Sequence, residues 1–116
     1  MGYYDLVLHV DSTDPAILKM VILNANNYLN ALPSERFLLI IVANAGAVKL
    51  LTNEQQELHD FAKLVLNRGV SLRVCANALA ENNLTQENIW PQCQIVPAGL
   101  VEIVRLQREG FAYIKP

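Results

Sequence analysis

Few side chains in this 116-residue chain are equipped for chemistry: two thiols, two imidazoles and some carboxamides. Cys75 has the most suggestive context. Gly69-Val70-Ser71-Leu72-Arg73-Val74-Cys75-Ala76-Asn77-Ala78-Leu79 reads as a helix end, a buried strand, and a cysteine where the strand gives way to a helix. A thiol just before a helix N-terminus feels the positive end of the dipole and the free N–H groups there. Such surroundings lower a thiol pKa from about 8.5 toward roughly 3.5–7.5 and favour the nucleophilic thiolate. They would equally stabilise a persulfide anion or a bound oxyanion. The competing reading makes Cys75 a small apolar residue that continues the strand, since free cysteine is among the most buried residue types. Position alone leaves both open.

The other candidates read more blandly. Cys93 follows Trp90-Pro91-Gln92 in a loop and is expected to be a packed thiol; it would resolve a Cys75 intermediate only if the fold joined them. His9, near a strand end and close to Asp11, is either a base or donor at a ligand site or a satisfied structural histidine. His59, between Leu58 and Asp60, is expected to face solvent. Cys75 and Cys93 form no CxxC pair and both histidines lie far from them in sequence, so no metal site is expected. The glycines form neither GxGxxG nor a P-loop, which removes the nucleotide fingerprint; no cofactor is implied. Glu102 and Glu109 lack a partner carboxylate at useful spacing, so paired acid/base chemistry has no support.

Composition narrows the class. Apolar residues make up 53% and charged residues only 17%, against typical values of ~45–50% and ~25%. The longest apolar runs, such as Phe37 to Ala43, stop well short of the ~18 residues a bilayer span needs. The excess therefore suits a sheet covered on both faces, with further apolar surface between subunits. Net charge is −2 and basic residues are scattered, which argues against nucleic acid or an anionic membrane as partner. No signal peptide is apparent, so the two cysteines are expected to be free thiols in a reducing, cytoplasmic setting.

The elements that must position these residues alternate. Tyr3 to Val10 is a strand candidate; Asp14 caps a helix with Pro15 at its first position, and Pro33 ends it. Phe37 to Val42 is a continuous apolar strand, followed by the small-residue loop Ala43-Asn44-Ala45-Gly46-Ala47-Val48. Asn53 or Thr52 caps a second helix that Gly69 closes. Val70 to Val74 delivers Cys75, and Ala76 to Glu81 is a short helix. Thr85 caps a turn reaching Trp90, Gln94 to Val96 is a fourth strand, and Pro97-Ala98-Gly99 leads into a helix closed by Gly110. Phe111 to Lys115 is the last strand.

This order predicts a single domain over residues 1–116, with a mostly parallel sheet between helical layers. Ligands of open parallel sheets bind beyond the strands' carboxyl ends. His9, Asn44, Gly46, Cys75, Ala76, Asn77, Pro97 and Gly99 stand at those ends and are the site candidates.

Three blocks and a tail carry a family resemblance. Val42-Ala43-Asn44-Ala45-Gly46-Ala47-Val48, Gly69-Val70 through Val74-Cys75-Ala76-Asn77-Ala78-Leu79, and Val96-Pro97-Ala98-Gly99-Leu100-Val101-Glu102-Ile103 resemble the DsrE/DsrF-like family. The ending Leu106-Gln107-Arg108-Glu109-Gly110-Phe111-Ala112-Tyr113-Ile114 is similar to that of its small single-domain members. The resemblance implies a five-stranded parallel α/β/α sheet and a homo-oligomer, a trimer or hexamer. It also implies sulfur relay: in better-studied relatives a cysteine after the third strand takes sulfane sulfur as a persulfide and passes it to a partner. Cys75 stands at that position. The chain reads Cys-Ala-Asn-Ala-Leu where the family leads one to expect Cys-Gly-Asn-Thr-Leu, so some backbone freedom and a hydroxyl are lost. The expected function is an intracellular sulfur carrier of sulfurtransferase type, with donor and acceptor proteins as partners. The alternative is a non-catalytic oligomeric module that binds a small ligand or nucleotide on the same rim.

Overall fold

The computed structural model describes residues 2–116. Five strands, β1 (Leu6–Val10), β2 (Leu39–Ala43), β3 (Ser71–Cys75), β4 (Cys93–Val96) and β5 (Ala112–Ile114), form one parallel sheet in the order β4-β3-β2-β1-β5. The first three connections step across the sheet in one direction; the fourth returns over it. Right-handed crossovers therefore send α1 (Pro15–Ala31), α2 (Gln56–Leu66) and α3 (Ala76–Glu81) to one face and α4 (Gly99–Arg108) to the other.

Packing follows this division. Leu6, Leu8, Val10, Leu39 and Ile41 face Leu18, Val21, Ile22 and Ala25 of α1 and Leu58, Ala62 and Val65 of α2. The alternate strand residues Val7, Ile40 and Val42 meet Ile103 and Leu106 of α4, with Phe111 beside them. Six buried side chains at ~1.5–3 kcal/mol each give on the order of 10 kcal/mol, which accounts for one helix holding that face. Every position of β1 and β2 is buried, as a central strand between two helical layers requires.

Local signals set the boundaries. The Asp14 carboxylate accepts the Ala16 N–H at 2.9 Å and Pro15 opens α1, which ends before Pro33. Gly69 and Gly110 adopt positive φ (92° and 101°) after α2 and α4, where a side chain would be strained.

Four expectations need correction. The first strand begins at Leu6, because the Asp5 carboxylate accepts the Gly2 and Leu38 N–H groups at 3.1 and 2.7 Å and folds residues 2–5 into a turn. The small-residue loop after β2 is a 3₁₀ segment, Ala45–Leu51, with Ala47, Val48, Leu50 and Leu51 buried. Neither Asn53 nor Thr52 caps α2: Asn53 instead bonds the Glu87 and Asn88 carbonyls, and Gln55 precedes the helix. Cys93 belongs to β4 rather than a loop. Among the described residues no helix is long and apolar enough to cross a membrane.

Candidate functional site

Adjacent strands whose following helices leave on opposite faces open a crevice between their carboxyl ends. Here that pair is β3, followed by α3, and β4, followed by α4. Cys75 ends β3 in register with Val96, three residues before α4 begins at Gly99. A cavity of about 310 Å³ lies at this point, lined by Asn44, Ala45, Cys75, Asn77, Ala78, Glu81, Ala98, Gly99 and Leu100.

Strand alternation turns Ser71, Arg73 and Cys75 toward α4. Cys75 is 6% exposed, and its Sγ accepts the Ala78 N–H at 3.4 Å. Gly99 makes the close approach possible. A Cβ there would sit 3.2 Å from the Asn44 Cβ and 3.3 Å from the Cys75 Cβ, so any side chain would press both walls.

Two polar clusters flank the crevice. On the α4 side, the Arg73 guanidinium bonds the Glu102 carboxylate. Arg105 adds Nε and Nη2 bonds to the same carboxylate, each at 3.0 Å. The Arg105 bond and then Arg73 hold the Glu102 carboxyl below its ordinary value against the opposing effect of burial. Behind Asn44, the buried His9 bonds Asn44 Oδ1 through Nε2 at 2.8 Å and the Tyr113 hydroxyl through Nδ1 at 2.6 Å. The register of β5 against β1 pairs Val7 with Tyr113, which sets the phenol on the His9 face.

Of the candidates named from sequence, Asn44, Cys75, Asn77 and Gly99 share the cavity wall. Ala76 and Pro97 lie beside it in the chain without lining it. His9 stands one layer back, behind Asn44. Gly46 packs elsewhere: a Cβ there would fall 2.3 Å from Thr13 Cγ2. Sequence reasoning missed Glu81, Leu100 and the Tyr113 partner of His9. It also missed the Arg73–Glu102 pair, although Arg73 two residues before Cys75 and Glu102 three after Gly99 share its face.

The remaining thiol and imidazole are remote from this site. Cys93 pairs with Leu72, three residues along β3 from Cys75 at the other end of the strand. Burial pushes its thiol up to about 12. It is not placed to resolve a Cys75 intermediate within one chain. His59, expected to face solvent, is half-buried: its ring stacks on Trp90 at 4.8 Å and its Nε2 bonds Gln92 at 2.8 Å. Among the described residues no group of three or more His, Cys, Asp or Glu side chains could hold a metal ion.

The DsrE/DsrF-like family model matches residues 1–116. The chain belongs to the DsrE/DsrF-like family. A solved structure of a protein of unknown function from Methanobacterium thermoautotrophicum is similar at 28% identity, with a TM-score of 0.89 over 97% of this chain and 99% of that one. Membership and fold thus agree with the five-stranded parallel sheet. No curated protein matches the sequence.

Proposed function

We propose that this DsrE/DsrF-like protein is a sulfur carrier in which Cys75 holds sulfane sulfur as a persulfide. The observation that carries the reading is the position of the Cys75 sulfur: at the strand-switch cavity, accepting the Ala78 N–H. The Cys75 thiolate attacks the outer sulfur of a donor persulfide, R–S–SH. A Cys75 S–S bond forms, the donor S–S bond breaks, and its electron pair leaves on R–S⁻. An acceptor thiolate then attacks the outer sulfur, releasing the Cys75 thiolate and carrying away the sulfur with its proton. Both steps are redox-neutral and need no metal or cofactor. With Cys75 only 6% exposed, the site favours a slender sulfur group over a bulky one.

The reading includes self-association and a reducing, cytoplasmic location. Leu100, Val101 and Val104 are 62, 68 and 52% exposed on α4, an apolar face suited to burial in a trimer or hexamer. Donor and acceptor proteins would then reach the cavity at the rim that such contacts leave open.

Intact mass after incubation with a low-molecular-weight persulfide tests the proposal. One added sulfur on the wild type and none on Cys75→Ser is expected; equal addition to both refutes it. The cavity's volume and its two carboxamides, Asn44 and Asn77, favour a second reading as a small-ligand module. In that case thermal-shift binding to nucleotides or small anions survives Cys75→Ala.

A further inference from the structure

His9 is a buried imidazole with both nitrogens engaged, yet it does not line the Cys75 cavity. Its partners differ in kind. Asn44 Oδ1 only accepts, so the bond to it assigns the proton to Nε2; Nδ1 of the neutral ring then accepts from the Tyr113 hydroxyl. If the ring is protonated, the hydroxyl turns to accept from Nδ1–H while Nε2–H still donates to Asn44. In either state Asn44 Oδ1 accepts from the His9 Nε2–H, which turns the carboxamide's oxygen toward His9.

Asn44 is half-buried and lines that cavity. With Oδ1 taken, its amide N–H2 is the group it can offer there. Asn44 and Cys75 flank the Gly99 α carbon from two sides, at 3.2 and 3.3 Å from the position of an added Cβ. Asn77, the other carboxamide on the wall, is exposed and has no comparable brace among the described residues. Among the described residues Glu81 is the one charged residue on the wall, exposed at the α3 end, where water screens its carboxylate.

We infer that His9 is a positioning residue: braced by Tyr113, it fixes Asn44 so that the amide N–H2 is a hydrogen-bond donor for anionic sulfur at Cys75. The inference rests on the sulfur-carrier reading and deepens it, by giving the terminal sulfur of the persulfide a second donor besides the Ala78 N–H. A fixed neutral donor avoids the reorganisation a free amide would need, which is why a buried histidine is used behind it.

The test measures alkylation rates of unmodified Cys75 in the full chain with iodoacetate and with iodoacetamide, probes of equal size and different charge. The iodoacetate-to-iodoacetamide ratio should fall about threefold to tenfold in Asn44→Ala, and by a similar factor in His9→Phe. The double variant should fall no further than either single, because both remove the same fixed donor. Tyr113→Phe, a change at the sheet edge, should lower the ratio in the same direction and replaces His9→Phe if that variant does not fold. Glu81→Gln should raise it. An unchanged ratio in Asn44→Ala or His9→Phe, multiplying effects in the double variant, or a Cys75 inert to both reagents would overturn the inference. Persulfide loading is measured separately by mass, so a carrier that loads sulfur with an unchanged ratio refutes this inference alone.

Discussion

Unequal reactivity of the two thiols is the sharpest expectation of this fold. The perturbation is a small neutral aromatic disulfide added to native protein at pH 8. Burial pushes the Cys93 thiol up to about 12. At pH 8 its thiolate fraction is then about 10⁻⁴, against roughly a quarter for an unperturbed thiol, a deficit of roughly 2,000-fold. The more basic thiolate is intrinsically more nucleophilic, which recovers about 40-fold. The net expectation for native Cys93 is therefore reaction about 50-fold slower than in the unfolded chain, before restricted access slows it further. Cys75, on the cavity wall, should account for a single fast equivalent. Released aromatic thiolate gives the kinetics, and intact mass with peptide mapping gives the site. Wild type should show one fast equivalent, Cys75→Ser none, and both should complete a second equivalent or their only one promptly in urea. If native Cys93 reacts within threefold of its urea rate, burial does not control it and the reasoning fails. If wild type shows no fast equivalent, the Cys75 cavity is closed to a reagent of this size and the expected contrast between the two thiols is refuted.

Other perturbations test the supports of the site. Glu102→Gln leaves the mostly buried Arg73 without its anion and should cost about 2 kcal/mol, roughly 8 °C in Tm by calorimetry. Because the folded-state Glu102 carboxyl lies below its ordinary value of 4.5, its contribution is complete above that pH and is lost as pH falls through the folded value. The Glu102→Gln variant should therefore lose less stability than wild type on acidification below about pH 4.5, read by urea midpoints. Gly99→Val places side-chain atoms against the Asn44 and Cys75 β carbons and should slow Cys75 modification at least about tenfold, measured with the same disulfide. On the proposed self-association through α4, replacing Val101 and Val104 together by glutamate should lower the mass seen in light scattering, since both side chains are more than half exposed.

The architecture was legible because its signals are local. Asp14-Pro15, Pro33, Gly69 and Gly110 punctuate the helices, and the unbroken apolar run of β2 announces a strand covered on both sides. What failed was set by contacts between distant segments. Asn53 has the chemistry of a cap, but the loop around Glu87 and Asn88 claims it. His59 has the context of a surface residue, but the Trp90 indole lies flat against it.

The same distinction governs the site. Cys75 could be placed at a strand end from its neighbours alone, but that position is shared by every strand of a parallel sheet. Only the strand order makes the β3–β4 end different from the others, because the return of the chain from β4 to β5 carries α4 to the opposite face. That single reversal has three consequences for the chemistry. It opens the crevice beside Cys75, it brings Gly99 close enough that an added Cβ would press on Cys75 and Asn44, and it lays β5 along β1 so that Tyr113 meets His9. The histidine near Asp11 therefore acquires its partner from the far end of the sequence, 104 residues away. A crevice, a thiol and a braced carboxamide thus arise together from one topological step, and a circular change that kept β3 but moved α4 to the other face would remove all three.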